Sequence, residues 1–185
     1  MVMNELAEFD LAIRLRGEGA LLGDIFTFIS GLYFRGKATY SAAFAAPPPG
    51  AHGSMVITAG RGLLPLDTLI TFADMRSIAS VSIDLANPRY RNPLERDALN
   101  LNKTIPRDCD VVLLGSIATS KYLEPLTNIF GSRLLFPSEF VGRGDMSRGG
   151  LMLRCVRSGV ELNYIPAQTA VRRGSRPPKL ARLRG

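Results

Sequence analysis

A chain of 185 residues, 46% hydrophobic and 21% charged, is long enough for one well-buried core and short for two domains. Two cysteines exclude a disulfide scaffold, and the acidic start Met-Val-Met-Asn-Glu-Leu-Ala-Glu is unlike a secretory signal, so the expectation is a cytoplasmic protein with reduced thiols. The formal charge of +7 is uneven: residues 1–132 hold 12 Lys+Arg against 13 Asp+Glu, while residues 133–185 hold 11 against 3, so the whole basic excess lies in the last 53 residues.

In chain order, residues 4–16 read as an amphipathic helix with Leu6, Phe9, Ala12 and Ile13 on one face, acids early and Arg14 and Arg16 late. The apolar run from Ala20 to Phe34 is interrupted by Gly23, Asp24 and Gly31, which argues against a membrane span and for a buried helix ending in a turn at Ser30-Gly31. Arg35–Ala46 reads as a further helix with Tyr40 and Phe44 at i, i+4, and the Pro/Gly-rich segment 46–54 as a loop. Met55–Thr58 has the continuous apolar character of a strand covered on both faces, followed by a turn at 60–65. Thr71 is placed to cap a short helix through Ala79. Ser80–Asp84 alternates like a strand, 87–93 is irregular, and Leu94–Leu101 is helical. Asp110–Gly115 is the clearest strand, Thr119–Phe130 a helix stopped by Gly131, Arg133–Phe136 a third buried strand, 147–158 a helix stopped by Gly159, and Glu161–Ile165 a last strand. Strands alternating with helices predict an α/β fold, three-layer, with a mainly parallel sheet, flanking helices and a helical N-terminal segment. The expected division is one α/β domain over 1–166 and a basic, flexible tail over 167–185 carrying Arg172, Arg173, Arg176, Lys179, Arg182 and Arg184.

In an open α/β sheet, ligands bind outside the carboxyl ends of the strands. Three polar, glycine-containing segments follow expected strands: Ala59-Gly-Arg61-Gly with Asp67 beyond, Gly115-Ser116-Ile-Ala-Thr119-Ser-Lys121, and Ser138-Glu139-Phe-Val-Gly-Arg143-Gly144-Asp145-Met-Ser147-Arg148. On a parallel sheet they surround one cleft. Ser116, Thr119 and Lys121 at a helix start suit an anion, or serve only as turn and cap. Arg61, Arg143 and Arg148 are candidates to hold phosphate or carboxylate, with Gly144 opening the backbone between them. Asp145 and Glu139 are the candidate acid and base, with Asp67 as a further acid; each has an ordinary ion pair with an arginine as its alternative.

Gly142-Arg-Gly144-Asp-Met-Ser147 falls short of the dinucleotide fingerprint because the third glycine stands at 149, and there is no P-loop. Gly149-Gly150 in a helix costs roughly 1 kcal/mol each against alanine, so a ligand or another backbone should approach closely there. The single histidine, His52, and two distant cysteines leave no metal site, and no cofactor is expected. Tyr33, Arg35 and Lys37, with Gly36 between the charges, form a further polar segment, read either as part of a site or as solvated helix-entry charges.

Leu32-Tyr-Phe-Arg-Gly-Lys37, Val56-Ile-Thr-Ala-Gly-Arg-Gly-Leu-Leu-Pro-Leu-Asp67, Val112-Leu-Leu-Gly-Ser116, Phe136-Pro-Ser-Glu-Phe140 and Gly142-Arg-Gly-Asp145 together resemble a family of bacterial α/β proteins of unassigned activity, over most of residues 20–165. The middle motif is also similar to that of small α/β proteins found near nucleic-acid modification and peroxide-stress genes, although the cysteine-glycine-lysine opening of that group is missing. The resemblance implies an α/β fold and a nucleotide or nucleic-acid connection. Two functions follow as expectations. One is a strand-end cleft for a phosphorylated or nucleoside-like ligand, extending to an enzyme acting on a nucleobase or glycosidic bond. The other is a non-enzymatic nucleic-acid-binding module using the basic tail, with no membrane partner. A third, an interaction protein, would use the apolar N-terminal third.

Overall fold

In the computed structural model, residues 2–172 and 174–180 are described. Helix α1 (Asp10–Arg16) places Asp10 in its first turn and Arg14 and Arg16 in its last, as the helix dipole favours, and Arg14 Nε donates to Asp10 Oδ2 at 3.0 Å. The expected helix over 4–9 is absent: Asn4 Oδ1 takes the Leu6 N–H at 2.9 Å and bends the chain into a turn. Strand β1 (Ala20–Leu21) feeds α2 (Leu22–Phe44). At Gly31 the backbone turns to φ 57°, ψ −134°, so α2 is two helical halves meeting at the turn anticipated there.

Strands β2 (Met55–Thr58) and β3 (Gly62–Pro65) form an antiparallel hairpin, and β4 (Leu69–Ile70) returns to pair with β1. Helix α3 (Phe72–Ala79) starts with a capping box: the Thr71 hydroxyl accepts the Asp74 N–H at 3.2 Å while the Asp74 carboxylate accepts the Thr71 N–H at 3.0 Å. Helix α4 (Pro88–Thr104) is capped by Asn87 with proline at its first position. Strand β5 (Val111–Val112), helix α5 (Ser120–Phe130), strand β6 (Leu134–Pro137), helix α6 (Asp145–Ser158) and strand β7 (Tyr164–Pro166) complete the order, with a 3-10 turn at Ser138–Phe140 ahead of α6.

The expected three-layer, mainly parallel sheet does not form. About 48% of the described residues are helical, and the strands make separate open sheets of two or three members. β5 and β6 are a parallel pair, but β7 lies antiparallel on β6. Three local causes account for the difference. The Ala59–Arg61 turn sends β2 straight back along β3 instead of into a helix. The alternating segment Ser80–Asp84 is folded into a turn, because the Asn87 amide donates to Ser82 O at 3.0 Å and to Ser82 Oγ at 3.1 Å. Within Asp110–Gly115, β-pairing is confined to Val111 and Val112, opposite Leu134 and Leu135.

One core joins these pieces. Tyr40, Tyr90, Phe136, Phe140, Leu134 and Met152 are fully buried, with Phe136 and Phe140 edge to face at 5.9 Å between centroids. Burying each such side chain is worth roughly 1.5–3 kcal/mol. Tyr40 and Tyr164 hydroxyls lie 2.6 Å apart, Tyr164 donates to Glu161 Oε1 at 2.8 Å, and the Leu162 N–H donates to Tyr40 at 2.9 Å, which ties α2 to β7.

The closest packing is between the second half of α2 and α6. A Cβ on Gly36 would lie 2.8 Å from Gly149 O, and a Cβ on Gly149 would lie 2.6 Å from Leu32 O. The two backbones touch at this pair, which explains Gly149 within a helix: the close approach is another backbone. Among the described residues, no helix is long and apolar enough to cross a membrane.

Candidate functional site

The glycine contact sets what surrounds it. Tyr33 and Lys37 stand one turn apart on α2, on either side of Gly36, and so face α6 near its start. Lys37 Nζ lies 4.0 Å from the centroid of the Tyr33 ring, an attraction between cation and π-face. The Tyr33 hydroxyl donates to Leu114 O at 3.2 Å, which joins α2 to the chain leaving β5. It also faces the Arg148 guanidinium.

Arg148 is far more enclosed than its neighbour Asp145. Its side chain is 11% exposed, Nε donates to Phe140 O at 3.2 Å, and the guanidinium lies 5.5 Å from the Phe140 ring. Asp145, one turn earlier on α6, is 3.6 Å from Arg148 Nη1 and 67% exposed. Tyr122, in the first turn of α5, presents its hydroxyl to the Ser116 N–H and feels both Asp145 and Arg148. Three helices, α2, α5 and α6, thus bring Tyr33, Lys37, Tyr122, Asp145 and Arg148 into one polar, partly enclosed cluster.

Ionisation follows from that enclosure. Burial pushes the Lys37 ammonium down to about 8; Asp145 opposes this and Arg148 adds to it. Burial pushes the Tyr33 phenol up to about 12 against the pull of Arg148, and it raises Tyr122 as well. Tyr33 and Tyr122 therefore remain protonated at neutral pH, while Lys37 loses its charge far more readily than a lysine in water.

The sequence-derived candidates distribute unevenly around this cluster. Asp145 and Arg148 belong to it. Ser116 borders it through its N–H, while its Oγ accepts the Ala118 N–H at 3.3 Å. Thr119 precedes α5 but makes no side-chain cap, and Lys121 is exposed, its carbonyl accepting the Tyr90 hydroxyl at 3.1 Å. Gly144 is the N-cap of α6, with no side chain capping that helix. Arg143 is engaged elsewhere: Nε donates to Glu139 O at 3.0 Å, and Nη1 to Ser147 Oγ at 3.2 Å and Pro178 O at 3.4 Å. The described tail segment 174–180 runs along this loop, with the Ser175 carbonyl against Gly142 and Leu180 beside Gly150.

Glu139 is a structural acceptor. Oε1 takes the Asn163 N–H at 3.1 Å and the Asn163 amide at 2.9 Å, and Oε2 takes the Ser138 hydroxyl at 3.1 Å. Arg61 lies with α3, paired to Asp74, whose carboxyl is held below its usual range by the Thr71 N–H and hydroxyl and then by Arg61. The exposed Asp67 follows β3 at the foot of the hairpin. The expectation of three strand-end loops around one cleft rested on the parallel sheet. In its place the second and third loops meet α2, and Arg61 bonds within the hairpin–α3 corner.

Sequence reading missed Tyr122, and it left Tyr33 and Lys37 open between a site and solvated helix-entry charges. The available signal was the i, i+4 spacing of Tyr33 and Lys37 around a glycine, which puts both on one helical face. A separate shallow groove of about 390 Å³ lies between α3 and α4, lined by Gly60, Ser77, Val81, Arg89, Asn92 and Pro93 among others. Arg89 is its single charged residue and reaches toward Ser80 Oγ at 3.4 Å, so the charge cluster is the stronger site on chemical grounds.

No family model, curated protein or solved structure matches the chain.

Proposed function

We propose that the Tyr33–Lys37–Tyr122–Asp145–Arg148 cluster binds a small phosphorylated or nucleoside-like ligand. One observation carries this reading: two cations, Lys37 and the 11%-exposed Arg148, are drawn together out of water with the exposed Asp145 as their acidic neighbour. An enclosed excess of positive charge costs solvation, and an anionic ligand offsets that cost. Arg148, always charged and held by Phe140, supplies a fixed fork for a phosphate. Tyr122, half-buried at the start of α5, adds apolar ring surface at the edge of the cluster, while the Tyr33 ring is covered by Lys37. Asp145, on the solvent side, is the carboxylate placed to move a proton; Glu139 is already occupied by Asn163 and Ser138.

A thermal-shift panel of inorganic phosphate, sugar phosphates and nucleoside monophosphates tests the reading. A true ligand at 100 times its Kd stabilises by about 2.7 kcal/mol. The expected result is a concentration-dependent rise in Tm for phosphorylated compounds and none for chloride at matched ionic strength. A panel without any such rise contradicts it.

A further inference from the structure

The protein contains four lysines, and Lys103, Lys121 and Lys179 are exposed. Lys37 is half-buried on the Tyr33 ring. Among the described residues, no carboxylate lies within the 4.0 Å ion-pair distance of its Nζ. The groups that act on it are Tyr33 from its own helix and Arg148 and Asp145 from α6.

We infer that Lys37 is a reactive amine that forms an imine with an aldehyde or ketone group of the anionic ligand held by Arg148. The inference rests on the anion-site reading above. With its ammonium lowered to about 8, about one Lys37 side chain in ten is neutral at pH 7, against fewer than about one in a thousand for an exposed lysine. That neutral fraction is the nucleophile. The Nζ lone pair attacks the carbonyl carbon, a C–N bond forms, and the C=O π pair moves to oxygen. One proton passes from nitrogen to that oxygen to give a carbinolamine. The hydroxyl then leaves with a second proton as water, and the C=N bond forms without any oxidant or reductant. Asp145 is the nearby carboxylate able to relay these protons, and Arg148 keeps the anionic end of the ligand beside the amine.

The experiment uses the full-length protein at pH 8 with pyridoxal 5′-phosphate, an aldehyde carrying a phosphate, followed by borohydride reduction and peptide mass mapping of all four lysines. The expected result is labelling of Lys37 at least tenfold faster than Lys103, Lys121 or Lys179, suppressed by inorganic phosphate and at least tenfold weaker with pyridoxal, which lacks the phosphate. Lys37→Arg should abolish this adduct. The wild-type labelling pattern decides the matter even where that variant fails to fold. Labelling of Lys37 no faster than the other three overturns the proposal. If phosphate still raises Tm in that case, only the amine chemistry falls; if it does not, the anion site falls with it. Equal labelling by pyridoxal and pyridoxal 5′-phosphate overturns the coupling to Arg148.

Discussion

Two segments of this protein invite the same expectation and meet different fates. The loop from Phe140 to Gly150 has the glycines and arginines of an anion-binding loop, and Tyr33–Lys37 is a plain turn of helix. In the folded chain the first part of that segment is tied to other protein groups, Arg143 binding Glu139 O, Ser147 and Pro178 while the preceding Glu139 binds Asn163, and only its second part, the start of α6, brings Asp145 and Arg148 to the cluster. Its glycines admit other backbones, Leu32 at Gly149 and Ser175 at Gly142. The helix turn, pressed against α6 by that contact, holds a lysine that water no longer fully solvates. Glycine-rich composition marks close approach, and only the partner found there distinguishes ligand from chain.

The sharpest test of this contrast is a pair of neighbours. Gly149→Val inserts carbon atoms where Leu32 O would be 2.6 Å from the Cβ alone, and should destabilise by about 3 kcal/mol, read as a lower urea midpoint. Gly150→Ala places its Cβ 3.6 Å from Leu180 Cδ1, ordinary contact, and should stabilise by about 0.5–1 kcal/mol through helix propensity. Equal effects at the two positions would break the backbone-contact explanation.

A smaller effect is expected from Lys37→Met, and it depends on pH. The folded pKa of about 8 lies below the unfolded value near 10.5, so the folded state holds fewer protons between these values and wild-type stability rises with pH across that window. Below pH 8 the full cost of the enclosed ammonium is present. Lys37→Met should therefore gain on the order of 1 kcal/mol at pH 7, after allowance for solvent screening of a half-buried group, and the gain should vanish by pH 10.5. Denaturant unfolding at pH 7, 9 and 10.5 reads this directly. Tyr33 acts in the opposite sense at the top of the range, since a phenol raised to about 12 loses stability for the fold as pH climbs above 10.

Glu139→Ala lies outside the cluster and should change stability alone. It removes the acceptor for the Asn163 N–H and amide and should cost about 1 kcal/mol of stability while leaving phosphate binding unchanged. A loss of phosphate binding in that variant would return Glu139 to the site.

Much of the helical framework was legible. Thr71 capped its helix, Gly131 and Gly159 ended theirs, and the turn at Ser30-Gly31 broke α2 where the glycine allows it. These features depend on local chemistry carried by a few adjacent residues. The sheet was not legible, because short apolar runs such as Met55–Thr58 do not state their partners; a hairpin return and a parallel crossover begin with the same residues. The cluster was half legible for the same reason. Asp145 and Arg148 advertise themselves in a polar loop, whereas Lys37 gains its character from the meeting of Gly36 with Gly149, residues more than a hundred positions apart.

The central claim is that the anion site lies at Arg148 and Lys37 and away from Arg143. Phosphate-induced Tm shifts of wild type, Arg148→Gln and Arg143→Gln, with circular dichroism to confirm that each is folded, test it most directly. The account predicts that the shift survives in Arg143→Gln and is lost in Arg148→Gln. A shift lost in Arg143→Gln and kept in Arg148→Gln would contradict it and place the site back in the glycine–arginine loop.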